Sequence, residues 1–186
     1  MLAAHRDPES YVAGSTPLTR YTARYSGVFH YREERVAHAA QDDTTLLEES
    51  GYTVQWQRRD PQIHTAIVRR AAESMKLEWV ADSDFRFFPT IRDDTFGYIL
   101  HPVDLTTNKV SAAYGRREPR DIVDLLAIHQ EILPMGAAVW ASAGKALGFT
   151  PEGIINEIRR MARYRAEDFL MVASDPPVTM RRLPSV

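Results

Sequence analysis

The stretch DLTTNKVSAAYGRREPRDIVDL, residues 104–125, decides the fold prediction. Pro102 suits the first turn of one helix and Pro119 the first turn of another, so two helices are predicted, with Gly115 ending the first. Lys109 falls on the first helix, and arginines and aspartates crowd the turn that follows the glycine. The pattern predicts a helix pair whose connection is rich in charges of both signs.

Strands are predicted ahead of this stretch, within residues 52–100. The turn signal Asp60-Pro61 separates two runs with strand-like composition, so a hairpin is expected there. Lys76 and Glu78 stand two positions apart in a further alternating run. They therefore share one face of a strand, because successive side chains of a strand point to opposite faces.

Further helices are predicted on both sides of the strands. Residues 32–50 have helical spacing and are followed by Gly51, which suits a helix end. After the helix pair, the alanine-rich residues 136–148 predict a third helix of the second half. Thr150 suits the N-cap of a fourth, which runs to about residue 166.

The predicted organisation is an α/β fold, with a mixed sheet and flanking helices in residues 1–100. A helical bundle in residues 101–174 is expected to pack on it. Neither half is long enough to bury a comfortable core alone. Three prolines in residues 175–186 predict a frayed tail.

Composition excludes several classes of function. The absence of cysteine rules out disulfides, thiolate metal sites and cysteine nucleophiles. The N-terminus turns polar too early for a signal peptide, and no apolar run reaches the ~20 residues of a membrane span, so a cytoplasmic protein without a membrane partner is expected. With a net charge of -2, contact with RNA depends on local basic clusters such as Arg58-Arg59 and Arg69-Arg70.

Residues 104–125 resemble the third motif of the AbiEii/AbiGii nucleotidyltransferase-like toxins. That motif has an acid, a lysine, an arginine, an Arg-Asp pair and a further Asp in this order. Gly14-Ser15 resembles the turn that opens the nucleotidyltransferase core, and residues 76–78 resemble the strand that supplies the last metal-binding carboxylate. The resemblance covers about residues 10–165.

The resemblance implies a nucleotidyltransferase of a toxin–antitoxin system. Such a protein transfers a nucleotide from an NTP to an RNA acceptor such as tRNA, and an antitoxin protein is its expected partner. Catalytic roles are implied for Lys109, Asp121 and Glu78, of which Glu78 is also a metal ligand. Nucleotide binding is implied for Gly14, Ser15, Lys76, Arg116 and Arg120.

The family's Mg²⁺ cofactor is expected to need two further carboxylates, at positions i and i+2 of the strand after the Gly-Ser turn. The corresponding stretch, residues 24–30, reads RYSGVFH and has no acid. Glu78 alone gives too few oxygen ligands for an ion that bridges phosphates. Glu33 and Glu34 are adjacent at a helix start, point in different directions and are not expected to substitute. The sequence therefore predicts an impaired metal site.

Several of these side chains have a structural alternative. Arg116 and Arg120 either contact phosphate or clamp Asp121 and Asp124 across the turn, and for Arg120 with Asp124 the clamp is at least as well supported. Lys109 either neutralises phosphate or is an exposed helix residue. The large aromatic residues are predicted to lie in the core, namely Trp79, Trp140, Phe87 and Phe88.

Three functions follow from the sequence as hypotheses. The first is a Mg²⁺-dependent nucleotidyltransferase, which is the class of the family. The second, expected of this chain, is a relative that binds NTP or RNA without turnover. The third is a protein that retains only a structural or partner-binding role. The first two predict that Gly14, Ser15, Glu78 and Lys109 face one triphosphate in a common cleft.

Overall fold

The chain divides into two compact units, and the boundary between the strand-rich and the helical part lies between His101 and Pro102. The structure is a computed structural model. Ser15, Gly27 and the predicted tail lie outside the residues that it describes. The packing of a helical bundle on the α/β core, and with it the predicted domain assignment, stays a prediction. The structure describes residues 2–14, 16–17, 28–31, 33–82, 85–145, 148–170 and 172, with only the backbone for residues 28–31, 33 and 34.

The first unit is strand-rich. Its strands within the described residues are β1 (Ser10–Val12), β2 (Val28–Tyr31), β3 (Thr53–Asp60), β4 (Ile63–Arg70), β5 (Glu73–Ala81), β6 (Ile91–Asp93) and β7 (Gly97–Ile99). They form one mixed sheet in the order β3-β4-β5-β2-β1-β7-β6. β2 runs parallel to β5 and β1 parallel to β7, while the other neighbours are antiparallel. The predicted hairpin at Asp60-Pro61 is confirmed, since it joins β3 to β4.

Helix α1 (Glu33–Glu49) covers one face of this sheet. Gly51, in the turn that follows the helix, has a φ of 84°, a left-handed conformation that ends a helix at little cost for glycine. The predicted helix in this region is therefore confirmed. The core between helix and sheet contains Val36, Ala40, Leu47, Ala66, Val68, Leu77 and Trp79.

A polar contact is buried beside this core. Asp43, on the inner face of α1, lies 2.5 Å from Nη2 of Arg6 and accepts a hydrogen bond of 2.7 Å from Nε1 of Trp79. The side chains of Arg6 and Asp43 are almost fully buried. Because a buried charge is costly without a partner, this ion pair holds the N-terminal residues to the helix and the sheet.

The second unit is helical. Its helices are α2 (Pro102–Gly115), α3 (Pro119–Glu131), α4 (Met135–Ala143), α5 (Pro151–Met161) and α6 (Ala166–Leu170). The predicted N-cap at Thr150 is confirmed, since its side chain accepts a hydrogen bond from the backbone N–H of Gly153. The mixed α/β class followed by helices is thus observed. The buried core of this unit contains Val110, Ala113, Leu125, Ala138, Val139 and Ile154.

Three core predictions are wrong. The exposed fraction is 73% for Trp140, 40% for Phe87 and 44% for Phe88, whereas Trp79 is fully buried as predicted. On α4 the buried residues are Ala138, Val139 and Ser142, so Trp140, about 100° around the helix from its neighbour, faces outward. An alanine-rich helix has no strongly polar side to reveal this orientation in the sequence.

Two predicted helix ends are also corrected. α4 ends at Ala143 and not near residue 148, and α5 ends at Met161 and not near residue 166. The spacing of α3 predicts an inner face of Ile122, Leu125, Leu126 and His129. The buried residues are Asp121, Asp124, Leu125 and Ile128, so Leu125 is confirmed, whereas His129 is exposed.

Within the described part of the chain, no single helix is long and apolar enough to cross a membrane, although α3 and α4, bent by 113°, pass that test as a pair on length and composition.

Candidate functional site

The predicted strand carboxylate, Glu78, lies on β5 next to Lys76. Leu77 and Trp79 face the α1 core, so Lys76 and Glu78 lie on the opposite face of the sheet. Nζ of Lys76 lies 2.6 Å from Oε1 of Glu78, and the exposed fractions of the two side chains are 56% and 26%. Both groups are accessible to solvent and form one ion pair.

The strand next to Glu78 is β2. Val28 is paired with Glu78 and His30 with Val80 in the parallel register of β2 and β5. Positions 28 and 30 are the i and i+2 positions nearest the strand carboxylate, and they hold valine and histidine. The backbone that could present a carboxylate pair beside Glu78 is thus in place without the carboxylates.

The described residues do not fit a Mg²⁺ site. Mg²⁺ takes a near-octahedral set of oxygen ligands and is usually held by one or two carboxylates together with phosphates. Glu78 is the carboxylate of β5 that is paired with β2, and the ammonium group of Lys76 already contacts it. In the part of the chain that the structure describes, no group of three or more His, Cys, Asp or Glu residues could hold a metal ion.

The predicted phosphate-binding turn follows β1. Gly14 has a φ of 68°, in the left-handed region that favours glycine, and it lies two residues after Val12. Ala13 before it is fully buried, so the backbone leaves the sheet in a fixed direction. Ser15 lies outside the described residues.

The predicted catalytic lysine, Lys109, is buried in the helical unit. Its Nζ lies 2.6 Å from Oδ2 of Asp124 and 3.8 Å from Oδ1 of Asp121. The exposed fraction is 7% for the lysine side chain and at most 1% for the two carboxylates. The lysine of α2 is therefore held by two acids of α3.

Arg116 closes this cluster from the turn between the two helices. Its Nε donates to Oδ2 of Asp121 at 2.7 Å and its Nη2 donates to Oδ1 at 3.0 Å, a two-point contact that fits the planar guanidinium. The carboxylate raises the pKa of Arg116 above its usual range. The structural alternative for Arg116, a clamp on Asp121, is observed.

Arg120 occupies a different environment. Its Nε lies 3.8 Å from Glu118, and both side chains are about half exposed. The ammonium group that lies 2.6 Å from Asp124 belongs to Lys109. Of the predicted site residues in this unit, Lys109, Arg116 and Asp121 come together, and Arg120 is at the surface.

The sequence analysis missed one further ion pair. Nζ of Lys145 lies 3.2 Å from Oδ1 of Asp104 and donates to Oδ1 of Asn108 at 2.9 Å. Asp104 and Asn108 stand one helical turn apart on α2, which is a weak signal for a shared partner. Nothing in the sequence indicates that this partner follows α4. With this pair, the described residues of the helical unit include three buried acids matched by three basic groups, namely Asp104, Asp121 and Asp124 with Lys109, Arg116 and Lys145.

The predicted site residues therefore form two groups, one in each unit. Gly14, Lys76 and Glu78 belong to the strand-rich unit, and Lys109, Arg116 and Asp121 to the helical unit. Their convergence on one cleft stays a prediction.

Comparisons with known proteins give a structural likeness. Neither protein-family models nor curated proteins match the chain. Among solved structures, the chain is similar to MenT4, a nucleotidyltransferase toxin from Mycobacterium tuberculosis H37Rv, with a TM-score of 0.49 and 15% sequence identity. The match covers 92% of this chain and 66% of that chain. The chain thus spans a little under two thirds of the length of that neighbour.

Proposed function

We propose that this chain is a nucleotidyltransferase-type protein of a toxin–antitoxin system that binds an NTP and transfers nucleotides poorly. The observation that carries the proposal is the register of β2 against β5. It sets Val28 and not an acid beside Glu78, while the rest of the motif pattern, from Gly14 to Asp121, is present.

Binding is supported by chemistry that needs no metal. A left-handed glycine turn lets backbone N–H groups approach a phosphate without a Cβ in the way, and Gly14 has that conformation. Lys76 is exposed and can exchange its surface contact with Glu78 for a phosphate, since exposed ion pairs contribute little. A triphosphate bound in this way is held mainly by charge-assisted hydrogen bonds.

Turnover requires more than this. In the family's reaction, a hydroxyl of the acceptor attacks the α-phosphate and pyrophosphate leaves, so negative charge on the phosphates must be stabilised. In the helical unit, the buried Lys109 and the half-exposed Arg116 are already paired with Asp124 and Asp121. Because these groups are not free to stabilise that charge, we expect the chain to bind NTP but to transfer nucleotides weakly or not at all. The RNA acceptor and the antitoxin partner belong to this proposal through the family resemblance, and a cytoplasmic location belongs to it through the expectation from the sequence.

The test is calorimetric titration of the full chain with NTP, with and without Mg²⁺. We expect weak binding that Mg²⁺ changes little. The double substitution Val28→Asp with His30→Asp supplies the missing carboxylates at positions i and i+2, and we expect Mg²⁺ then to tighten NTP binding by about tenfold.

The matched control adds Glu78→Gln to the double variant. If Glu78 completes the restored site, the gain from Mg²⁺ is lost while the fold is unchanged by circular dichroism. Tight, chelator-sensitive binding by the unaltered chain, or rapid transfer of labelled nucleotide to RNA, would contradict the proposal.

A further inference from the structure

Three basic side chains lie on the sheet face that carries Glu78. Pairing sets Arg58 opposite Thr65 and Thr65 opposite Glu78, so these positions form one row across β3, β4 and β5. Arg69 lies four residues after Thr65, and Lys76 two residues before Glu78. An even separation along a strand places side chains on the same face, so all three basic groups share the face of Glu78.

Side-chain contacts agree with this placement. Nη1 of Arg69 donates to Oε1 of Gln55 at 2.7 Å across β4 and β3, and Lys76 contacts Glu78 at 2.6 Å. Arg58, Arg69 and Lys76 are exposed, whereas the opposite face of the same strands is closed by the α1 core. The basic groups are therefore exposed, while Thr65, which lies between Arg58 and Glu78 on the same face, is buried.

The charge of this region differs from that of the chain. The described strands β3 to β5 place Arg58, Arg69 and Lys76 on this face together with the acids Asp60 and Glu78, so basic groups are in excess there, although the whole chain has a net charge of -2. Strand spacing and rise place Arg58 and Arg69 about 13 Å apart along the strands, with Lys76 one strand further across. Positive charge spread in this way suits a row of phosphates better than a single phosphate.

We propose that this face of the sheet binds the phosphodiester backbone of single-stranded RNA through Arg58, Arg69 and Lys76. Exposed polar groups beside them, from Gln55 and Ser74, can donate to and accept from ribose hydroxyls. The inference deepens the proposed function, because it gives the acceptor a surface next to Glu78, and it is tested without nucleotide so that the two can fail separately.

The ion pairs now present do not block this surface. Arg58 contacts Asp60 and Lys76 contacts Glu78, and all four side chains are at least partly exposed. Such surface pairs contribute little to stability in water, and an RNA chain with several phosphates can replace them because its binding also releases counterions.

The test is fluorescence anisotropy of a labelled single-stranded RNA with the full chain, in EDTA and without NTP. The variant Arg58→Gln, Arg69→Gln, Lys76→Gln is compared with Arg159→Gln, Arg160→Gln, Arg163→Gln, which removes the same charge from exposed positions in and just after α5. We expect the sheet variant to bind RNA about tenfold or more weakly at low salt, and the slope of log affinity against log salt to fall by about 2. The α5 variant should stay within about twofold of the unaltered chain.

Other outcomes overturn the inference. Equal losses in the two variants would mean that net charge alone attracts RNA, and an unchanged sheet variant would place RNA elsewhere. Loss of binding in a charge-preserving Arg58→Lys, Arg69→Lys variant would point to a structural role. If polyglutamate binds as tightly as RNA, the sheet face is a site for an acidic protein and not for RNA. Because the RNA assay contains no NTP, these outcomes can be read even if the NTP titration shows no binding.

Discussion

Each unit contains a lysine–carboxylate pair of the same length in a different environment. Lys76 and Glu78 are 2.6 Å apart with exposed fractions of 56% and 26%, and Lys109 and Asp124 are 2.6 Å apart with 7% and 0%. In water the attraction of such a pair is nearly offset by desolvation and lost side-chain entropy, whereas a buried charge depends on its partner. Equal distances therefore conceal different roles, a replaceable surface contact and a support of the helical unit.

The buried pair is the larger expected effect. Lys109→Ala leaves Asp124 and Asp121 buried with one cation fewer, so we expect a loss of about 3–5 kcal/mol in the free energy of unfolding. The sequence motif alone predicts a loss of ligand binding with little cost in stability. Urea unfolding followed by far-ultraviolet circular dichroism measures the change.

A double variant sharpens this prediction. In Lys109→Ala with Asp124→Ala, the buried carboxylate that lost its partner is also removed, so the double variant should cost less than the sum of the single variants by about 1–3 kcal/mol. Additive costs would mean that the two groups do not support each other. A fully stable Lys109→Ala protein would favour the ligand-binding role for this lysine.

The sequence predicted the elements better than the environments. Pro102, Gly115 and Pro119 mark α2 and α3 correctly, because helix ends depend on local backbone chemistry. The approach of Lys109 to Asp121 could be anticipated, since one turn joins their helices. The burial of Lys109 could not, because the helical core that packs against α2 includes residues of α4 and α5, which lie at distant positions in the chain.

The same limit applies in the strand-rich unit. Alternation predicted the faces of β5 correctly, and the role that the motif gives Glu78 stays a prediction. The register that sets Val28 beside Glu78 depends on a parallel pairing between strands about 50 residues apart, which no local pattern specifies. Trp140 and Phe88 were assigned to the core on side-chain type alone, and type does not determine which way a residue faces.

His64 gives an intermediate, pH-dependent effect. It is buried on β4, its ring packs edge-on against Trp56, and its Nδ1 has no hydrogen-bond partner among the described residues. Burial, helped by the nearby Arg59, lowers the pKa of His64 below its usual value near 6.5. The unfolded chain then takes up the proton first, so the stability that the neutral ring contributes is present above pH 6.5 and is lost as the pH falls below it.

Tryptophan fluorescence can follow this effect, because Trp56 and Trp79 pack together near His64. Unfolding midpoints in urea should fall between pH 7 and pH 5.5 for the unaltered chain and fall less for His64→Gln. The exposed Gln130, which does not titrate, provides the control, since Gln130→Ala should retain the full pH dependence. An identical slope in both variants would assign the dependence to another group.

The exposed pair is expected to give the smallest effect on folding and a clear effect on binding. Lys76→Ala removes a surface contact, so the free energy of unfolding should change by less than about 1 kcal/mol. The Glu78 carboxylate is partly exposed, so water can solvate it once Lys76 is removed, and little stability is lost. NTP and RNA affinity, measured in the two assays above, should both fall, because the same ammonium group stands at the edge of each proposed site. If Lys76→Ala loses as much stability as Lys109→Ala, then burial does not explain the difference between the two pairs.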